Sequence, residues 1–137
     1  MRNEKPILLV EDDTVDAMTI QRALKEIKVT NSIVRALNGE DALEHLRDPN
    51  NEKPCLILLD LNMPKMNGIE FLEERYKSQE LTTIPVVVLT TSKDDGDKLD
   101  SFQLNIAGYM IKPVDYHKFV DTMKIINMYF TISESVD

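Results

Sequence analysis

The chain has 137 residues, a formal net charge of −8 and 42% hydrophobic residues, which suits one domain with a substantial core. The acidic residues are dispersed and no basic cluster occurs, so direct binding to nucleic acid is not expected. Cys55, the only cysteine, sits in an apolar run and is interpreted as a small buried residue. No apolar stretch approaches the roughly 18 residues that span a membrane, so a cytoplasmic location is the default expectation.

Five apolar runs predict five strands. They are Ile7 to Val10, Ile33 to Leu37, Leu56 to Leu59, Val86 to Leu89 and Tyr109 to Ile111. The first, third and fourth runs are continuous, which is typical of central parallel strands buried on both faces. The second contains Arg35 and predicts an edge strand. The last is closed by Pro113, which cannot donate to a strand ladder and restricts the residue before it.

Segments with helical spacing of apolar residues lie between and after these runs. Three of them are Ala17, Ile20, Leu24 and Ile27; Ala42, Leu43 and Leu46; and Ile69, Leu72 and Tyr76. A weaker helix is predicted from about Asp94 to Leu104, and a last amphipathic helix from Tyr116 to Phe130, before a polar tail from about Ser133. This order predicts a single α/β domain over residues 1–137, with helices on both faces of a parallel sheet.

Four of the five runs stop at residue types that phosphate chemistry needs. These residues are Glu11, Asp12 and Asp13; Asp60; Thr90; and Lys112. In a parallel sheet the carboxyl ends of the strands meet at one crevice, so we expect these side chains to converge there. Crowded carboxylates are destabilising unless a cation neutralises them, and oxygen ligands fit Mg²⁺. The histidines, His45 and His117, lie outside these strand ends and do not indicate zinc.

A carboxylate at such a site can act as a nucleophile toward a phosphoryl group. Asp60, alone at the end of a buried strand, is the candidate. Catalysis of phosphoryl transfer consists mostly of positioning and counter-charge. Lys112 then supplies a compact cation to one phosphoryl oxygen, and Thr90 donates its hydroxyl to another.

Four ordered segments resemble the signature motifs of the receiver domains of two-component response regulators. They are Leu8 to Asp13; Leu58 to Pro64 with Asn67 and Gly68; Pro85 to Ser92; and Gly108 to Pro113. The resemblance implies a flavodoxin-like, doubly wound sheet of five parallel strands in the order 2-1-3-4-5, with five helices in a three-layer sandwich. The protein is then a phosphoacceptor in signalling and not an enzyme with an external substrate.

The resemblance also implies roles for individual residues. Asp60 accepts a phosphoryl group from the phosphohistidine of a sensor histidine kinase or of a phosphotransfer protein. Asp12 binds Mg²⁺ directly, Glu11 binds it through water, and the backbone carbonyl of Asn62 completes the metal site. Asn62 and Ser92 occupy positions that tune dephosphorylation.

Further roles implied by the resemblance concern switching. Thr90 and Lys112 contact the phosphoryl group, the peptide bond between Lys112 and Pro113 is cis, and Tyr109 is the aromatic switch residue. Two features depart from the commonest pattern. Thr91 stands where a smaller residue is usual and crowds the path of Thr90, and Asp13 adds a third acid.

The motifs around Thr90 and Lys112, with the closing stretch Met128 to Ile132, resemble most the single-domain regulators paired with phytochrome-type kinases. A regulator of that kind signals by binding another protein. The spacing of the last helix places Phe119, Met123, Ile126 and Phe130 on a core face and directs Ile125 and Met128 away from it. We therefore expect a homodimer through this helix.

Two alternatives compete with this interpretation. A haloacid-dehalogenase-type phosphatase also uses a strand-end aspartate with Mg²⁺, but it normally has a second acid two residues later, where this chain has Asn62. A flavin-binding module shares the sheet order but needs a phosphate-cradling loop after the first strand, and three acids there repel such a ligand. An absorbance spectrum would detect a flavin, and rapid turnover of a phosphatase substrate would favour the phosphatase.

Overall fold

The computed structural model describes residues 5–61, 65–90, 104–111 and 115–136, without the side chains of residues 90, 111 and 129–136. Its strands are β1 (Ile7–Val10), β2 (Ile33–Ala36), β3 (Leu56–Leu59), β4 (Val86–Thr90) and β5 (Gly108–Ile111). The helices in these ranges are α1 (Thr14–Glu26), α2 (Gly39–Arg47), α3 (Gly68–Tyr76), α4 (Gln79–Thr82) and α5 (Tyr116–Val136). No helix among the described residues is both long and apolar enough to cross a membrane.

The strands form one parallel sheet in the order β2-β1-β3-β4-β5, as predicted. β2 is an edge strand, and β1 and β3 coincide with their predicted apolar runs. All residues of β1 and β3 are buried, because helices cover both faces of the sheet. The predicted doubly wound fold is therefore confirmed.

Alternate residues of each strand face two separate cores. On one face, strand residues such as Leu8, Ile57 and Val88 pack with the apolar sides of α2, α3 and α4. On the other face, Leu9, Leu58 and the strands' remaining inward residues pack with α1 and α5. The result is a three-layer sandwich whose crevice lies at the carboxyl ends of β1 and β3.

The last helix is longer than predicted. α5 continues through Val136, so the segment from Ser133 is helical instead of a polar tail. Residues 131–136 contain neither glycine nor proline, and nothing in them ends the helix. The orientation predicted for this helix is confirmed where side chains are described: Phe119, Met123 and Ile126 are buried, whereas Ile125 and Met128 are 60% and 61% exposed.

Helices between β3 and β5 differ from the prediction in two places. α4 is a single turn that the apolar spacing did not indicate, and its N-cap is Ser78, which accepts a hydrogen bond from the Leu81 N–H at 3.3 Å. The helix predicted from about Asp94 to Leu104 falls almost entirely outside the described residues.

The inward face of α3 was assigned partly wrongly. Tyr76, counted among its apolar positions, is 55% exposed, whereas Phe71, Leu72 and the charged Arg75 are buried. The buried charge of Arg75 is accommodated because its guanidinium donates hydrogen bonds to the backbone carbonyls of Thr82 and Ile84. Cys55 was expected to be buried but is only partly buried, since it lies just before β3. Its Sγ lies 3.5 Å from the Lys5 carbonyl oxygen.

Candidate functional site

Strand register brings the first two acidic segments together. Val10 and Leu59 are paired residues of the neighbouring strands β1 and β3, so the residues that follow them, Glu11 and Asp60, start side by side. The Asp60 N–H donates to the Val10 carbonyl at 3.0 Å, which continues the ladder past the last strand residue. The Glu11 N–H donates to the Ala36 carbonyl on the other side, also at 3.0 Å. The backbone N–H groups of Asp60 and Glu11 are therefore held by the neighbouring strands.

Glu11, Asp12 and Asp60 form one carboxylate cluster, with an oxygen of each within 4.8 Å of the others. Glu11 is buried, Asp60 is half-buried and Asp12 is exposed. At such a separation each pair of negative charges costs about 1 kcal/mol in water and roughly 3 kcal/mol at an effective dielectric constant of 20. The sheet holds the acids together against this repulsion.

The donor set fits a hard divalent cation. It consists of carboxylate oxygens, one of them exposed, which leaves room for water and substrate oxygens as Mg²⁺ requires. Among the described residues this is the one group of acids, histidines and cysteines close enough to hold a metal ion. His45 lies in α2 and His117 in α5, and neither belongs to the group.

Arg35 supports the acidic turn from behind. Its Nε donates to the Glu11 carbonyl and its Nη2 to the Asp12 carbonyl, each at 3.0 Å. The guanidinium thus orders the two backbone carbonyls and places a positive charge beside the cluster. Both of these hydrogen bonds go to the main chain and not to the carboxylates.

Asp13 has a different role from the two acids before it. Its side chain caps α1 by accepting a hydrogen bond from the Asp16 N–H at 3.0 Å. Its own N–H lies 3.4 Å from Glu11 Oε2. The third acid of the sequence triplet is therefore a helix cap, and the metal group contains only the first two.

Gly68 allows α3 to begin directly against the backbone that follows β3. A Cβ at this position would lie 2.5 Å from Leu61 Cα and 2.7 Å from the Asp60 carbonyl oxygen, closer than side-chain atoms can approach. The Gly68 N–H donates to the Leu61 carbonyl at 2.9 Å. Only glycine lets the helix start pack on the backbone of Asp60 and Leu61 in this way.

The remaining predicted site residues are described only in part. β4 ends at Thr90, which pairs with Ile111 at the end of β5. Tyr109 is half-buried against the core formed with α2, α3 and α4. Asn62, Thr91, Ser92, Lys112 and Pro113 lie outside the described residues, and their predicted roles stay predictions.

Sequence reasoning missed Arg35 and Gly68 as parts of the site. From the sequence, Arg35 indicated only an edge strand, and Gly68 was only one residue of a motif. The signal available for Arg35 was its position one residue before the end of β2, next to the end of β1. Its contact with two carbonyls has no sequence signature.

The comparisons with known proteins agree with this geometry. A family model described as "Response regulator receiver domain" matches residues 7–124. The chain is 38% identical over 127 residues to the probable methanogenesis regulatory protein FilR2 of Methanothrix harundinacea, covering 90% of this chain and 82% of FilR2. It is 39% identical over 112 residues to the response regulator Rcp1 of Synechocystis, covering 79% of this chain and 76% of Rcp1.

Two solved structures extend these similarities. The crystal structure of the phosphorylated cyanobacterial phytochrome response regulator RcpA superposes with a TM-score of 0.86 and 37% identity, covering 93% of this chain and 94% of RcpA. The Mn²⁺-bound form of Rcp1 superposes with a TM-score of 0.84 and 35% identity, covering 92% and 94% of the two chains. One similar protein has thus been crystallised phosphorylated and another with a divalent cation.

Proposed function

The chain belongs to the response regulator receiver family, and we propose that it accepts a phosphoryl group on Asp60 in a Mg²⁺-dependent reaction. A receiver domain is a phosphoacceptor signalling module and not an enzyme that turns over an external substrate. One observation carries the proposal: the register of β1 and β3 brings Asp60 beside Glu11 and Asp12 in a cluster of carboxylates. The haloacid-dehalogenase alternative has no comparable support.

In the proposed reaction a carboxylate oxygen of Asp60 attacks the phosphorus of a phosphohistidine. The phosphorus–nitrogen bond breaks, the imidazole keeps the electron pair and takes a proton from solvent, and an acyl phosphate forms on Asp60. Asp12 directly, and Glu11 through water, would hold the Mg²⁺, with the Asn62 carbonyl as a further ligand. A bound divalent cation would offset the negative charge of the carboxylates and phosphoryl oxygens.

We further propose that Lys112 and Thr90 contact the phosphoryl oxygens and that Tyr109 acts as the switch aromatic. The ends of β4 and β5 at Thr90 and Ile111 support this, because they lie at the same sheet edge as the acidic cluster. The half-buried position of Tyr109 on the neighbouring strand is consistent with a side chain that moves between two environments.

The test is phosphorylation by acetyl phosphate, followed by intact mass spectrometry with and without Mg²⁺. We expect one added phosphoryl group, only with the cation present, and none in Asp60→Asn. The matched control is Asp13→Asn, an acid of the same turn that caps α1 and can still cap it as asparagine. Uptake of phosphate by Asp60→Asn, or equal loss in Asp13→Asn, would contradict the assignment.

We propose that the phosphoryl donor is a sensor histidine kinase of the phytochrome type. The similarity to Rcp1 and to RcpA, a phytochrome response regulator by its description, supports this choice. We also propose that the whole chain, residues 1–137, works as one receiver domain in the cytoplasm. Phosphotransfer to Asp60 from a panel of phosphorylated kinases would identify the partner, and a panel in which phytochrome-type kinases react no faster than others would contradict this choice.

We also propose a homodimer through α5. Ile125 and Met128 are 60% and 61% exposed one helical turn apart, opposite the buried Met123 and Ile126. The helix extends about 18 Å beyond residue 124, where the family match ends, at 1.5 Å per residue. An exposed apolar pair on a long helix suits a symmetric contact with a second copy.

Light scattering of Ile125→Glu and Met128→Glu tests the dimer. Each variant should have a lower mass than the wild type and should still be phosphorylated on Asp60. Val15→Glu is the control, because Val15 is 70% exposed on α1 and the same apolar-to-acid change there leaves α5 intact. A wild-type protein that stays monomeric at high micromolar concentration, with or without phosphate, would refute the dimer.

A further inference from the structure

The start of α2 packs tightly against the segment that follows the phosphoacceptor. The Gly39 N–H, at the first residue of α2, donates to the Met66 carbonyl at 2.8 Å. A Cβ at Gly39 would lie 2.6 Å from Met66 Cγ, 2.7 Å from the Met66 carbonyl oxygen and 2.9 Å from its Cβ. Because one of these contacts is with the backbone, a rotamer change of Met66 cannot relieve it.

Conformation does not explain why residue 39 is glycine. None of the described glycines has a positive φ angle, and alanine is the better helix former at the start of α2. The Asn38 side chain already caps the helix by accepting from the Asp41 N–H at 2.9 Å. The feature that requires glycine is therefore the contact with Met66.

Met66 connects this contact to Asp60. It lies between Lys65, whose backbone has φ 54°, and Asn67, the N-cap of α3. The next residue, Gly68, packs on the backbone of Leu61 and Asp60. Met66 is thus held by α2, and Gly68, two residues later, packs against the phosphoacceptor Asp60.

We propose that Gly39 is a positioning residue of the phosphoacceptor site, acting through Met66. The inference rests on the proposed function of Asp60 and adds a residue from α2 to the site. The start of α2 fixes Met66, and Met66 fixes the return of the chain onto Leu61 and Asp60. A side chain at residue 39 would push Met66 away and change the position of the Asp60 backbone relative to Glu11 and Asp12.

The test is Gly39→Ala. We expect a rate of phosphorylation by acetyl phosphate about ten-fold to hundred-fold lower than that of the wild type, because a misplacement near 1 Å at a reacting group costs this much. Mg²⁺ affinity, measured by calorimetry, should fall as well. This second readout does not depend on phosphoryl transfer.

Two further variants separate positioning from a general loss of stability. Met123→Ala removes a buried side chain of α5 in the other core, so it destabilises the fold without contacting Met66, and its Mg²⁺ affinity should equal that of the wild type. The double variant Gly39→Ala with Met66→Ala removes the 2.6 Å contact with Cγ but keeps those with the carbonyl oxygen and Cβ, so it should recover affinity in part.

Amide hydrogen exchange in the wild type tests the inference without any substitution. Mg²⁺ binding should slow exchange of the Gly39 N–H, whose acceptor is the Met66 carbonyl. The Val29 N–H, which donates to Leu24 at the far end of α1, should be unaffected. Unchanged exchange at Gly39 would overturn the inference even if Gly39→Ala failed to fold.

The remaining outcomes are distinguishable. Gly39→Ala with wild-type Mg²⁺ affinity and phosphorylation rate, or with losses equal to those of Met123→Ala, would refute the role of Gly39 alone. A wild-type protein that neither binds Mg²⁺ nor accepts phosphate would refute the proposed function and this inference together.

Discussion

Arg75 is a buried cation that fastens three parts of the chain together. It is 1% exposed on α3, and its guanidinium lies 2.8 Å from the Ile84 carbonyl and 3.0 Å from the Thr82 carbonyl. It also lies 3.2 Å from the Leu104 carbonyl and 3.4 Å from the Asn105 carbonyl. The side chain therefore ties α3 to the segments that lead into β4 and β5.

Removing this guanidinium should be costly. Arg75→Met keeps an unbranched side chain in the core but removes the guanidinium, which leaves the carbonyl oxygens without their donor, at roughly 1 kcal/mol or more for each buried acceptor. Burial of the cation has its own cost, since desolvation lowers the pKa of Arg75. The net loss should therefore be about 3 to 5 kcal/mol, which is the combined cost of the four unsatisfied carbonyls less the cost of burying the cation.

Urea unfolding followed by circular dichroism measures this loss. The midpoint should fall with little change in the m-value, and the melting temperature should fall by roughly 10 to 20 °C. Arg75→Lys keeps the charge but cannot present a planar fork to several carbonyls, so its loss should be about half as large. Exchange of the Ala107 N–H, which donates to the Val86 carbonyl at the entry to β5, should quicken in Arg75→Met.

Arg47→Met is the matched control. Arg47 lies on the neighbouring helix α2, is exposed, and has one ion pair of 3.8 Å with Glu74, which at the surface contributes less than about 1 kcal/mol. If Arg75→Met lost no more stability than Arg47→Met, the bonds from the guanidinium to the carbonyls would contribute nothing net. Unsatisfied carbonyl acceptors of Arg75 would then not lower the free energy of unfolding.

Four other substitutions have definite expected outcomes. Lys28→Gly should raise the free energy of unfolding by about 1 kcal/mol in urea, because Lys28 has φ 67° in the Schellman turn that ends α1; a lower midpoint would contradict this. Asp12→Asn should weaken Mg²⁺ binding more than Glu11→Gln in a magnesium titration, and equal losses would reverse the ranking. Lys112→Arg should still allow some phosphorylation of Asp60 but impair phosphorylation-dependent partner binding, and wild-type partner binding would remove the lysine from the mechanism.

The sheet and the acidic cluster could be predicted because both follow from side-chain type and order. The continuous apolar runs at β1 and β3 can be buried on both faces only in the middle of a parallel sheet. Once they are neighbours, the residues after Val10 and Leu59 must meet, and those residues are acids. Helix faces followed in the same way, as the buried Met123 and exposed Met128 of α5 illustrate.

The sequence-based predictions failed for two kinds of feature. One is a side chain whose partner is the backbone of a distant segment, and the other is an element too short to show a period. Arg75 has the charge typical of a helix surface position, yet its acceptors are carbonyls up to 30 residues away. α4 is a single turn, too short to generate a period, and depends on the cap by Ser78. Tyr76 was placed inward by its apolar ring, but the neighbouring position was taken by Arg75 and its carbonyl acceptors.

The same reason divides the site into a part that sequence can reveal and a part that it cannot. Glu11, Asp12 and Asp60 act through side-chain charge, which the sequence displays. Arg35 and Gly39 act on the main chain, the first by donating to carbonyls behind the acids and the second by the absence of a Cβ beside Met66. Every residue has the same main-chain atoms, so such a contact leaves no pattern. Under the proposed role of Gly39, a residue type that is ordinary for a helix start helps to determine where Asp60 lies relative to Glu11 and Asp12.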